Sequence, residues 1–73
     1  MQRKRQYHFF SVFIDWTSDT TTMLYHGESE YRAILAFYRA IVAGAHDSRI
    51  DHVSMHRDCK PVASVRVRST VSA

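Results

Sequence analysis

Hydrophobic and polar residues follow two different periods along this chain. Between Glu28 and Gly44, the apolar residues Tyr31, Ile34, Leu35, Tyr38, Ile41 and Val42 recur at three- and four-residue steps, with Ala45 continuing the series. That spacing places them on one face of a 3.6-residue turn and predicts a helix over 28–44 with this face toward the core. Arg32, Ala36, Arg39 and Ala43 fall on the opposite side, toward water, and Phe37 lies at the edge of the stripe. Glu28 and Glu30 stand where the helix macrodipole favours acids, and Gly44 is placed to end the helix.

The rest of the chain alternates with period two. Tyr7 to Trp16 is dense in aromatic and β-branched residues and predicts a strand. One face carries His8, Phe10, Val12, Ile14 and Trp16; the other carries Tyr7, Phe9, Ser11, Phe13 and Asp15. Thr17, Ser18 and Asp19 supply turn chemistry. Thr20 to His26 follows as a second strand, with Met23 and Tyr25 on one face and Leu24 and His26 on the other. After the helix and a short connection, Arg49 to Arg57 puts Ile50, His52, Ser54 and His56 on one face, and Asp51, Val53 and Met55 on the other. Val53 and Met55 face the core in this reading. Asp58 to Pro61 forms a turn, and Val62 to Ser69 alternates again, with Ala63, Val65 and Val67 inward and Ser64, Arg66 and Arg68 outward.

The predicted architecture is β-β-α-β-β: an α+β, two-layer domain with one antiparallel sheet of two hairpins covered by a single helix. Residues 1–6 form a basic arm, 7–69 the domain, and 70–73 a polar tail. One helix covers only one face of a sheet, yet the first strand is apolar on both. Its second face either meets another subunit or stands open as an aromatic platform.

At 73 residues the chain is one small domain in which a single core is only marginally sufficient. With the spare apolar surface, this makes a homodimer the expected state. Cys59 is the one cysteine and closes no internal disulfide, which points to a reduced, cytoplasmic protein. Ten Lys and Arg stand against seven Asp and Glu, but Arg3, Lys4 and Arg5 account for the excess, leaving 7 − 7 = 0 elsewhere. The basic character therefore belongs to the arm, either as a contact for phosphate or an acidic surface, or as a solvated terminus. No apolar run approaches the ~20 residues of a membrane-spanning helix, and no small-residue cleavage site follows Tyr7 to Ile14. Neither membrane insertion nor a secretory signal is expected.

Candidate chemistry is sparse. His52, His56 and Cys59 are all legitimate zinc ligands in the pattern H-x3-H-x2-C. On a strand, however, the two histidines stand about 13 Å apart at ~3.3 Å per residue, so a metal requires this segment to bend or coil. A fourth ligand would have to come from His8, His26 or His46. A Cys59–His56 nucleophile and base pair lacks an evident orienting group, and a chain this short has little room for a substrate pocket of ~300 Å³. No GxGxxG, GxxxxGK or HExxH is present. Neither an enzyme nor a cofactor is expected.

Binding chemistry is better represented. Tyr7, Phe9 and Phe13 form an aromatic row on the first strand. Arg66, Arg68, His52 and His56 can share its face, and Arg32 and Arg39 lie seven apart on the helix. Stacking aromatics with guanidinium groups bind single-stranded nucleic acid on sheet platforms, but the same residue types are enriched at protein interfaces. Neutral charge outside the arm favours a protein partner. The expectation is a small non-catalytic protein acting by stoichiometric contact through Tyr7, Phe9 and Phe13 or through a strand edge. Its sharpest form is a phage or mobile-element inhibitor of a host nucleic-acid-handling complex, in the manner of anti-CRISPR proteins, on an analogy of size and architecture. Direct RNA or single-stranded DNA binding is the alternative, and a structural zinc site is the third reading.

Overall fold

A computed structural model describes residues 7–67. The arm, Arg68 and the tail lie outside the described residues. The elements run β1 (Phe10–Trp16), β2 (Thr21–Gly27), α1 (Glu30–Gly44), β3 (Ile50–Arg57) and β4 (Lys60–Arg66). The four strands form one antiparallel sheet in the order β2-β1-β3-β4, with α1 across one face. Both expected hairpins are present, and β1 pairs with β3 to join them.

β1 is central and sets the two faces of the sheet. Phe10, Val12 and Ile14 point toward the helix and are buried, with Val53 and Ile50 of β3 beside them. Val12 and Val53 are fully buried, each worth roughly 1.5–3 kcal/mol relative to exposure. Two bulges change the faces read from strict alternation. Between Val12 and Phe13 the partner steps from Tyr25 to Met23, so Leu24 is the extra residue. Met23 and Tyr25 therefore lie on opposite faces, with Tyr25 against the core. Between Asp15 and Trp16 the partner steps from His52 to Ile50, so Asp51 bulges and Ile50 joins the core instead of the histidine face. A third shift makes Val62 the extra residue of β4. In each case one inserted residue reverses the parity of everything beyond it.

The helix begins two residues later than its periodicity suggests. Ser29 is the N-cap, and its hydroxyl accepts from the Arg32 N–H at 3.1 Å. The Ser29 N–H donates to the Tyr25 hydroxyl at 3.0 Å, tying β2 to the helix start. Tyr25 lies over Gly27, where an added Cβ would come within 2.5 Å of its oxygen.

The buried face of α1 is not the expected one. Ala33, Phe37, Ala40 and Gly44 meet the sheet, with Ala36 and Ile41 packed beside them. Tyr31, Ile34, Tyr38 and Val42 face outward. Three of the four core-facing residues have little or no side chain, so the backbone approaches the sheet closely and Phe37 fills the remaining space. Large residues on the sheet supply the volume that the helix omits. Gly44 does not end the helix by a left-handed turn. It is the last helical residue, it is buried, and Ala45 caps in the right-handed region.

Candidate functional site

The face of the sheet away from α1 carries the aromatic row. None of the described helices or strands covers it. Phe9 immediately precedes β1, and Ser11, Phe13 and Asp15 continue outward along the strand. His26 and Met23 of β2 flank one side, opposite Ser11 and Phe13. His56, Ser54 and His52 of β3 flank the other, with Ser64 and Arg66 beyond on β4.

Each aromatic ring is set by a histidine. Phe9 stacks on His26, with ring centroids 5.8 Å apart and planes inclined at 10°. The Ser11 hydroxyl lies 3.0 Å from His26 Nδ1 and fixes that imidazole. Phe13 meets His56 edge-to-face at 5.3 Å and 84°. His56 Nδ1 is buried without a hydrogen-bond partner among the described residues.

Phe9 is held from below by the β3–β4 turn. Arg57 pairs with Lys60 around a two-residue turn, Asp58 and Cys59, at φ of 53° and 68°. Positive φ at both central residues is what a tight hairpin of type I′ requires. The Phe9 N–H donates to the Asp58 carboxylate at 3.0 Å, and the Asp58 N–H donates to the Phe9 carbonyl at 2.8 Å. His8 Nδ1 lies 2.5 Å from the other carboxylate oxygen. The Phe9 N–H, and then the His8 ring, hold the Asp58 carboxyl below the ordinary carboxylate value. This clasp extends the aromatic row past the end of the strand, and no periodicity in the sequence signals it.

Two open cavities border the face. One, of about 390 Å³, is lined by Phe9, Ser11, His26, Asp58 and Cys59. The other, of about 250 Å³ and mostly polar, lies among Asp15, Trp16, Asp19, Thr20, Thr21, Asp51 and His52 at the far end. Two of its carboxylates have side-chain partners. Thr21 donates to Asp15 at 2.8 Å, His52 lies 2.9 Å from Asp51, and Arg66 Nε lies 4.0 Å from the same carboxylate.

The structure thus gathers Phe9, Phe13, His52, His56 and Arg66 on one face. Tyr7 stands just ahead of them, 55% exposed, and Phe9 is 46% exposed. Arg32 and Arg39 are on α1, in the other layer. Arg3, Lys4, Arg5 and Arg68 lie outside the described residues. His52 and His56 remain spaced along a regular strand, while Cys59 sits in the turn. Among the described residues, no three His, Cys, Asp or Glu side chains gather closely enough to hold a metal ion. No helix of the described residues is long and apolar enough to cross a membrane. No family model, curated protein or solved structure matches the chain, so a function has to rest on this surface chemistry.

Proposed function

We propose that the chain is a small non-catalytic binding protein that makes stoichiometric contact with a protein partner, itself included as a homodimer, through the open sheet face. The observation that carries this is Phe9. The Asp58 clasp and the His26 stack hold it rigidly at the surface, where it remains exposed. An ordered aromatic that loses little entropy on contact is the kind of anchor on which interface energy concentrates. The polar groups around it are already matched to one another, as at the rim of a protein interface. His26 and Asp58 are engaged in holding Phe9 and Ser11, which supports a binding role over a catalytic one. In its sharpest form the partner is a component of a host nucleic-acid-handling complex and the chain a phage or mobile-element inhibitor; small size and architecture support this by analogy.

A second reading has its own observation. Phe9 and Phe13 are aligned with a central strand of an open four-stranded antiparallel sheet, with Arg66 on the same face, a layout suited to stacking bases of RNA or single-stranded DNA. Against it, one face of Phe9 is taken by His26, and Arg66 lies close to Asp51.

Molar mass by light scattering, with and without a mixed oligonucleotide pool at moderate salt, separates the two. The expected result is a dimer that ignores the pool and becomes a monomer in Phe9→Asp. A mass that rises with the pool, and falls back with added salt or in Arg66→Ala, would put nucleic acid first.

A further inference from the structure

We propose that the outward face of α1 is a second docking surface, and that its occupant is an amphipathic helix of a partner protein whose apolar stripe is bordered by acidic residues. The surface is independent of the sheet face, from which the sheet separates it.

A helix on the surface of a domain needs one apolar stripe, directed to the core. α1 has two. Ala33, Phe37, Ala40 and Gly44 serve the core. Tyr31, Ile34, Tyr38 and Val42 are 73%, 38%, 61% and 63% exposed on the far side. The outer stripe spans about 16 Å at 1.5 Å per residue. It repeats every seven residues, as Tyr31 with Tyr38 and Leu35 with Val42. That recurrence keeps a seam facing a second helix along its whole length. The fold does not explain it, because the domain is docked through the other side.

Charge chooses the occupant. Arg32 and Arg39 are also seven apart, so they border the seam on the same flank. Both are exposed, and neither joins an ion pair among the described residues. Glu30 is the one acid of the helix and sits in its first turn. A partner helix with carboxylates along its edge satisfies both arginines at once. A second copy fits less well. Antiparallel pairing sets the two arginine borders against each other, and parallel pairing aligns the two helix dipoles.

The test uses the full chain and two synthetic helical peptides with the same leucine stripe, one bordered by glutamates and one by lysines, titrated by fluorescence anisotropy. The glutamate-bordered peptide is expected to bind at least about tenfold more tightly. Tyr38→Asp should abolish that binding, and the double variant Arg32→Glu/Arg39→Glu should reverse the preference, with circular dichroism showing both variants folded. Equal binding of the two peptides, binding of neither, or binding that survives Tyr38→Asp would overturn the proposal. So would a dimer that Tyr38→Asp dissociates and the glutamate-bordered peptide does not, which would assign the face to a second copy.

Discussion

Gly44, the last residue of α1, and Val67, just beyond β4, are packed so closely that a Cβ on Gly44 would overlap Cγ1 of Val67. This contact brings the C-terminal end of the helix against the residue that follows edge strand β4. The Val67 N–H also donates to the Asp51 carbonyl at 2.9 Å, so the residue is fixed from both sides. The glycine is there for close approach, not for a left-handed turn.

Gly44→Ala therefore sets two effects against each other. Helix propensity favours Ala by about 1 kcal/mol, while overpacking a tight contact costs about 1–3 kcal/mol. A net loss of stability is expected in urea unfolding, partly restored when Val67→Ala is added. A gain from Gly44→Ala alone would mean that Val67 moves aside freely.

The orientation of α1 makes a direct contrast between neighbours. Phe37→Ala should cost about 3–5 kcal/mol, because it empties the largest helix contribution to the core. Tyr38→Ser, one residue on, should stay within about 0.5 kcal/mol of the parent, because Tyr38 faces outward. Reversed magnitudes would restore the face read from periodicity.

The β3–β4 turn contains a residue poorly suited to its backbone. Cys59 holds φ at 68°, a region that costs a non-glycine residue roughly 1–2 kcal/mol. Cys59→Gly should raise the thermal midpoint, by less than that full amount because glycine also gains freedom in the unfolded chain. Cys59→Val should lower it. A lower midpoint in Cys59→Gly would show that the thiol itself contributes to the turn.

Acid should weaken the fold through two surface carboxylates. The Arg49 side chain, and then its backbone N–H, hold Asp47 down to about 2, and Asp58 is lowered by Phe9 and His8. A depressed carboxylate stabilises the folded state above its unfolded value of 3.8 and loses that contribution as pH falls through the folded value. Urea midpoints should therefore drop between about pH 4 and pH 2, less steeply in Asp47→Asn and at high salt. An unchanged slope in Asp47→Asn would exclude the Asp47–Arg49 pair as a source.

The element order was legible because two periods alternate cleanly along the chain. Phe10, Val12 and Ile14 declare the core face of β1, and Phe9 and Phe13 declare its other face. Bulges were not legible. Leu24, Asp51 and Val62 carry no distinguishing chemistry, yet each reverses the parity of the strand residues beyond it. The Asp58–Phe9 clasp joins residues 49 positions apart, beyond the reach of any local pattern.

The sequence by itself determined the α+β class, the two hairpins and the aromatic row, since these arise from local periodicity and from turns of a few residues. Strand order and the working face of the helix were decided only by the tertiary structure. A helix with two apolar faces can dock by either. Side-chain hydrophobicity favours Tyr31, Ile34 and Tyr38, but helix and sheet must share one fixed volume. The large residues already projecting from β1 and β3 left room for a face of Ala33, Ala40 and Gly44 with a single Phe37. Packing density chose the smaller face and left the larger one outside.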